Sequence, residues 1–196
     1  LHGEGHSFPT RRSSDLPQDV WTGMNAAVVF FSYQGNTRRF ASVIGECLDA
    51  SVIELSTVRR RHSVGERSRY IWGGDQIMMS NLPQITHEDY DFSAADLIVV
   101  GTPVWGGTMA PPVRSFLTSR EFFRTNFALF TTYAGRCGSA LRDMEDLLVG
   151  NTILDTLLLR EPNSMEEDTT LARAQQWGLD LRTTMEDPER KEASGE

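Results

Sequence analysis

Three short segments with side chains suited to ligand binding follow apolar runs of strand length. The first precedes a helical pattern and combines hydroxyl and amide side chains with one glycine, Ser32-Tyr33-Gln34-Gly35-Asn36-Thr37. Backbone N–H groups at a helix start lack partners within the helix, and the helix dipole favours negative charge there. This segment therefore predicts a phosphate site. The alternative is a plain helix cap, with Ser32 or Asn36 as the capping residue.

The first segment belongs to neither of two common nucleotide motifs. The P-loop spacing G-x-x-x-x-G-K-[ST] is absent from it, and it has one glycine where a dinucleotide fingerprint needs three. A phosphate bound here would depend on backbone amides and short polar side chains.

The second segment is rich in glycine and carries a tryptophan, Gly101-Thr102-Pro103-Val104-Trp105-Gly106-Gly107-Thr108. A tryptophan in a surface turn is exposed to solvent unless another group packs on it, and a planar aromatic ligand can do so by offset stacking. The Gly106-Gly107 pair lets the backbone come close to such a ring. The alternative is that Trp105 folds back onto the helices as part of the core.

The third segment again offers an aromatic side chain, glycines and hydroxyls after an apolar run, Thr131-Thr132-Tyr133-Ala134-Gly135-Arg136-Cys137-Gly138-Ser139. Alone it is a weak signal. Ligands of doubly wound sheets bind beyond the carboxyl ends of the strands, so three such segments in one sheet predict one shared site.

The elements that must position these segments alternate along the chain. Apolar runs predict strands over 26–31, 51–55, 96–101, 127–132 and 152–159. Apolar residues at helical spacing predict helices over 36–48, 111–117, 141–148 and 171–181. This alternation predicts an α/β fold: a doubly wound, five-stranded parallel sheet with helices on both faces. The strand order does not follow from the pattern.

The ends of the chain are expected to lie outside this domain. Residues 6–16 show no period of 2 or 3.6 and resemble a translated sequencing adapter, so we expect residues 1–23, before Met24, to be a non-native or disordered extension. The domain is predicted over 24–182, followed by an acidic, disordered tail over 183–196. Residues 57–88 are polar and irregular, carry a basic cluster over 59–69, and predict a partial helix with a long loop.

Composition excludes several classes of function. The net charge is −8, with 27 acidic against 19 basic residues, which argues against a nucleic-acid or membrane-surface binder. No apolar run approaches the roughly 20 residues that span a bilayer. The two cysteines, Cys47 and Cys137, suit a reducing compartment and predict a cytoplasmic protein. His62 and His87 have no partners at ligand spacing, so no metal site is predicted.

Together these motifs resemble the flavodoxin family. Its phosphate loop reads T/S-x-T-G-x-T; Ser32, Gly35 and Thr37 match it, and Gln34 replaces the middle threonine. A flavodoxin-like subgroup also carries Y-I-W-G-G and then D-L-I-x-x-G-T-P-V-W-x-G-T-x-A-P-P, which here occupy residues 70–74 and 96–112. The resemblance extends over about residues 26–181, and the second of these motifs is long and specific.

The resemblance implies FMN as cofactor and assigns three groups of binding residues. The phosphate is expected on Ser32, Gln34, Gly35, Asn36 and Thr37. The isoalloxazine ring is expected against Pro103, Val104, Trp105, Gly106 and Gly107, with Trp105 as stacking partner. The other side of the ring is expected to be closed by Thr132, Tyr133, Ala134, Gly135 and Gly138.

The function implied is electron transfer by a carrier that docks with redox partner proteins. An alternative is an NAD(P)H-dependent FMN oxidoreductase acting on quinones or similar acceptors, in which the basic cluster over 59–69 would help to hold the nicotinamide phosphate. A second alternative is a flavin-free structural module. No catalytic residue is assigned, and the oligomeric state stays open.

Overall fold

The computed structural model of the chain describes residues 23–57, 82–87, 89–161 and 167–187. Four features singled out in the sequence lie outside these ranges: residues 1–22, the basic cluster over 59–69, the Y-I-W-G-G motif over 70–74, and the end of the chain from 188. Most of the expected partial helix and loop over 57–88 lies outside them as well.

The described elements alternate as the sequence predicts. In chain order the strands are β1 (Ala26–Phe30), β2 (Ser51–Glu54), β3 (Ser56–Thr57), β4 (Ile85–Thr86), β5 (Leu97–Trp105), β6 (Thr108–Met109), β7 (Asn126–Tyr133) and β8 (Thr152–Arg160). The helices are α1 (Asn36–Leu48), α2 (Pro111–Thr118), α3 (Ala140–Glu145) and α4 (Glu167–Glu186), with a short 3₁₀ turn over Phe92–Ala94.

Five parallel strands form the central sheet in the spatial order β2-β1-β5-β7-β8. This order and the helical crossovers define a flavodoxin-like, doubly wound α/β fold, which confirms the predicted fold class. The order reverses between β1 and β5, since β2 lies on one side of β1 and the later strands lie on the other. A crevice beyond the strand ends is expected at this switch point.

Both faces of the sheet are buried, which explains why its central strands read as continuous apolar runs. Successive residues of β1 point to opposite sides: Ala27 and Val29 join a cluster with residues of α2 and α3, whereas Val28 and Phe30 join one with residues of α1 and α4. Burial in these clusters is nearly complete; Val28 and Val29 are 0% exposed. These two apolar layers hold the strands in place, and with them the strand ends that carry the three segments.

Helix α1 has the bounds that its apolar spacing predicts, but other elements differ from expectation. Strand β5 continues four residues past the predicted end at Gly101 and turns back as β6, which pairs with it in antiparallel register. The two-residue turn consists of Gly106 and Gly107, with φ of 58° and 86°. Positive φ at both positions gives the turn geometry that suits a tight hairpin, and glycine adopts it without strain.

Two further differences concern the periphery. Strands β3 and β4 form a small antiparallel sheet that the sequence did not predict, because each contributes only two residues. Helix α4 extends to Glu186, four residues beyond the expected domain limit at 182, so residues 183–186 are helical rather than part of a tail.

Candidate functional site

The three segments singled out in the sequence lie at the carboxyl ends of β1, β5 and β7, which are neighbours in the sheet. Each pair of segments is joined by a direct contact, described below. The structure therefore assembles them at one edge of the sheet, on the side where doubly wound folds bind ligands.

The first segment leaves the start of α1 without a side-chain cap. Gly35 is the residue before the helix, with φ of 98°, and as a glycine it has no side chain that could cap the first-turn amides. Ser32 instead accepts from the backbone N–H of Gly35 at 3.1 Å. The first turn contains no acidic residue. Neither predicted capping residue caps the helix, and uncapped amides together with the helix dipole suit an anion such as phosphate.

The second segment is the β5–β6 hairpin, and its tryptophan contacts the first segment. Trp105 is the last residue of β5 and is half-buried. Its ring packs edge-on against Phe31, with centroids 5.5 Å apart, and against Tyr33, with centroids 5.7 Å apart. Tyr33 itself is 52% exposed. Trp105 thus lies with the aromatic residues that follow β1, at the carboxyl end of the sheet.

The third segment is joined to the first by a buried pair of hydroxyls. The Oγ1 atoms of Thr37 and Thr132 lie 2.8 Å apart, and both side chains are at most 1% exposed. Thr37 is in the first turn of α1, and Thr132 is near the end of β7. This hydrogen bond fixes the start of α1 relative to the strand end that leads into the third segment.

The second and third segments meet backbone to backbone. The N–H of Ser139 donates to the carbonyl of Gly107 at 2.7 Å. Gly138 has φ of 57°, and a Cβ built on it would overlap the carbonyl group of Gly107. Only glycine allows this approach, because any other residue would force the two segments apart.

A polar network that the sequence analysis did not identify supports the hairpin from the side of α3. Asp143 accepts hydrogen bonds from the hydroxyls of Thr108 and Ser139, the second at 2.9 Å. The Arg114 guanidinium donates to Thr108 Oγ1 at 3.1 Å and lies 3.9 Å from the Asp143 carboxylate. The spacing Ser139-x-x-x-Asp143 at a helix start was the available signal, but Thr108 is distant in sequence.

The predicted site residues differ in exposure in a way that suits a cleft. The buried ones are Ser32, Thr37, Pro103 and Thr132, the half-buried ones are Gly35, Asn36, Val104, Trp105, Gly107 and Tyr133, and the exposed ones are Gln34, Gly106, Ala134, Gly135 and Gly138. Pro103 is the register partner of Thr132 across β5 and β7. The buried Thr37 and Thr132 join the first and third segments, and the exposed Gly138 meets Gly107 of the second segment.

An open cavity of about 560 Å³ borders α1 and β2 and includes Arg38, Glu54 and His87 in its lining. Arg38 donates two hydrogen bonds to Glu54, at 2.8 and 2.7 Å. The hydrogen bond to Glu54 raises the pKa of Arg38 above its ordinary value. This ion pair links α1 to β2 and engages Arg38, the residue that directly follows Thr37.

Within residues 23–57, 82–87, 89–161 and 167–187, no three His, Cys, Asp or Glu side chains come together as metal ligands would. Over the same ranges, no helix has both the length and the apolar character needed to cross a bilayer.

Three solved structures that resemble this chain are those of a flavoprotein, in two forms, and of a flavodoxin. A flavoprotein from Lactobacillus acidophilus NCFM, in complex with FMN, is 23% identical and has a TM-score of 0.60, over 74% of this chain and 97% of its own. Its apo-form has a TM-score of 0.56 at the same identity, over 75% and 97%. A flavodoxin from the domain Archaea is 20% identical, with a TM-score of 0.53 over 83% and 99%. These likenesses support the flavodoxin-like fold.

No protein-family model matches the chain, and no curated protein matches it either. The fold and the geometry of the three joined segments therefore carry the functional argument.

Proposed function

We propose that this chain is an FMN-binding, flavodoxin-like protein that transfers electrons. The observation that carries the proposal is the junction of three ligand-suited segments at the switch point of the sheet. The Thr37–Thr132 hydrogen bond and the Gly107–Ser139 hydrogen bond hold them together. The known FMN complex of a protein with the same fold supports the choice of cofactor.

The phosphate would bind at the start of α1. The amides there have no side-chain cap, and no carboxylate in the first turn would repel an anion. Ser32, Asn36 and Gln34 border these amides and would add hydrogen bonds from their side chains. Because the backbone N–H groups supply the main interaction, the replacement of the family threonine by Gln34 removes one hydroxyl without removing the site.

The isoalloxazine ring would lie against the β5–β6 hairpin and the third segment. Trp105 offers an aromatic surface, and Tyr133 follows from the neighbouring strand. Gly106 and Gly107 bring backbone groups to the surface with no side chain between them and the ring. Trp105 is half-buried and lies beside the exposed Tyr33, which suits an isoalloxazine ring whose faces are covered and one edge of which is accessible.

Bound FMN supplies one- and two-electron redox chemistry, while the protein sets its position and surroundings. Here the three segments would exclude water from the ring faces and hold the phosphate at a fixed distance from the hairpin. An edge left open to the surface favours exchange of electrons with a docked partner protein. The net charge of −8 favours partners with basic surfaces, with association rates that fall as salt rises.

The alternative activity, NAD(P)H-dependent reduction of quinones by bound FMN, uses the same cofactor site. The purified protein is loaded with FMN and freed of excess, and its visible spectrum and its oxidation of NAD(P)H are recorded. The carrier proposal predicts flavin bands, release of FMN by acid, and no steady NAD(P)H oxidation unless a partner reductase is added. Steady turnover without a partner would favour the enzyme, and a colourless protein that ignores added FMN would overturn both.

A further inference from the structure

One carboxylate outside the predicted site joins the hairpin to helix α3. Asp143 Oδ2 accepts hydrogen bonds from both Thr108, the first residue of β6, and Ser139, the residue before α3. Two elements far apart in sequence therefore share one acceptor atom. Hydrogen bonds to a charged acceptor are about twice as strong as neutral ones.

The proton arrangement in this network is determined by its members. The Arg114 guanidinium can only donate hydrogen bonds, so the Thr108 hydroxyl oxygen accepts one from it at 3.1 Å. The Thr108 O–H in turn donates a hydrogen bond to Asp143. Arg114 also compensates the Asp143 charge at 3.9 Å, and both side chains are mostly buried, at 17% and 23% exposure. The Asp143 carboxylate is the terminal acceptor of the chain Arg114–Thr108–Asp143.

The network acts directly beside the Gly106-Gly107 turn. Ser139 donates from its backbone to the carbonyl of Gly107 at 2.7 Å, and its hydroxyl lies 3.3 Å from the same carbonyl oxygen. Thr108 is the residue that follows Gly107. Asp143 thus holds both the residue after the turn and the residue that binds the turn's carbonyl.

We propose that Asp143 is a positioning residue for the flavin ring: by holding Thr108 and Ser139, it fixes the Gly106-Gly107 turn against the third segment. This inference rests on the proposed function, because the turn and the third segment are the two sides of the expected ring site. Asp143 acts through Thr108 and Ser139 and needs no contact with the ring. An unpositioned turn would bind FMN more weakly and would change the surroundings that set its potential.

The test compares Asp143→Ala with Asp143→Asn and with a matched control, Glu145→Gln. Asparagine keeps an oxygen that can accept from both hydroxyls, whereas alanine removes the acceptor. Glu145 is exposed on the same helix, so its replacement by Gln removes one negative charge without touching the network. Three quantities are measured: amide hydrogen exchange at Ser139 in the flavin-free protein, the FMN dissociation constant, and the midpoint potential of bound FMN.

The proposal predicts that Asp143→Ala speeds exchange at Ser139 about tenfold, weakens FMN binding about tenfold and shifts the potential, as expected for loss of a charged hydrogen bond. Asp143→Asn should recover most of each effect, and Glu145→Gln should resemble the wild type. If Asp143→Ala fails to fold, Thr108→Val removes one of the two links and should give the same pattern at smaller size.

Two results would overturn the proposal. Exchange at Ser139 that is unchanged in Asp143→Ala would mean that the carboxylate does not hold the segments together. Faster exchange with unchanged FMN affinity and potential would mean that the network is local support without effect on the ring. Failure of the proposed function is distinguishable, because the wild type and Glu145→Gln would then also fail to bind FMN.

Discussion

The two ends of the central sheet use their polar groups differently. At the amino end, side chains are bonded to backbone: Asp96 accepts from the N–H of Asn25 at 2.8 Å, and Asn151 bonds the carbonyl of Phe122 and the N–H of Thr125, both at 3.1 Å. At the carboxyl end, the amides of the first turn of α1 have no side-chain cap. At the amino end, Asp96 and Asn151 thus bind the backbone of the chain itself, whereas at the carboxyl end the start of α1 lacks a side-chain cap.

Positive φ alone does not distinguish the two ends, but close approach does. Gly150 at the amino end has φ of 88°, and a Cβ there would meet nothing within 4 Å. Gly138 at the carboxyl end also has positive φ, yet it lies directly against Gly107. A glycine that is required only for its positive φ indicates a turn. A glycine that is required both for its positive φ and for close approach to another backbone segment indicates a junction between two segments.

Gly138→Ala should have the largest effect on the candidate site. The added Cβ is strained by the positive φ and overlaps backbone, which cannot swing aside as a flexible side chain would. We expect FMN binding to weaken by about 100-fold, as a strain of about 2–3 kcal/mol at the junction implies. The measurement is an FMN titration followed by quenching of flavin fluorescence.

Gly150→Ala serves as the control for Gly138→Ala, because it places alanine at positive φ at the other end of the sheet, where a Cβ meets nothing within 4 Å. It should bind FMN like the wild type, although it should lose stability of about 1–2 kcal/mol. If Gly150→Ala weakened FMN binding as much as Gly138→Ala, the junction with Gly107 would not be the cause.

Thr132→Val should have the next largest effect, because it leaves the buried Thr37 hydroxyl without its partner. We expect unfolding free energy to fall by about 1–3 kcal/mol and FMN binding to weaken about tenfold. Thr131→Val is the matched control: on the same strand, and among the described residues, the fully buried Thr131 hydroxyl has no hydrogen-bond partner. Equal losses in the two variants would show that the Thr37–Thr132 bond holds nothing together.

A smaller effect is expected on the alkylation rates of the two free cysteines, which lie in different regions of the molecule. Cys137 lies in the third segment, so FMN should slow its alkylation about threefold, since a ligand suppresses opening of its own site. Cys47 packs between α1 and α4, with its Sγ 3.5 Å from the Gln175 carbonyl, and FMN should not change its rate. Mass spectrometry after timed alkylation measures both, and FMN protection of Cys47 alone would contradict the proposed location.

The pH dependence at Cys47 follows from burial. Burial, and then the charge of Glu46, raises the pKa of the Cys47 thiol. Its contribution to stability is therefore complete below the pKa of the unfolded thiol and is lost as pH rises through the raised folded value. Alkylation of Cys47 should accelerate only above the pH at which an unfolded thiol already reacts.

Asn151→Ala should change FMN binding least, although it destabilises the protein. It removes bonds to Phe122 and Thr125 at the amino end, which should lower the unfolding free energy by about 2 kcal/mol. FMN affinity at a temperature where the variant is folded should equal that of the wild type. A loss of affinity as large as that of Thr132→Val would show that the two ends are coupled.

Helices and strands could be predicted from the sequence where they depend on local apolar periodicity. Features that depend on contacts between residues distant in sequence could not. Helix α1 and the five main strands follow from local patterns, because burial on both faces leaves continuous apolar runs. The strand order depends on packing between crossovers, and the β5–β6 hairpin depends on two glycines with positive φ that also suit a loop. The spacing Ser139-x-x-x-Asp143 was a local signal for one contact of Asp143, but its bond to Thr108 forms only once the hairpin has formed.

The proposed function depends most on phosphate binding at the start of α1, and a paired titration with FMN and riboflavin tests this proposal. The two ligands share the ring and differ in the phosphate. We expect tight, saturable binding of FMN with quenched flavin fluorescence, and binding of riboflavin at least about 100-fold weaker, because the uncapped amides and the helix dipole would act on the phosphate alone. Equal affinity for both ligands, or binding of neither, would contradict it.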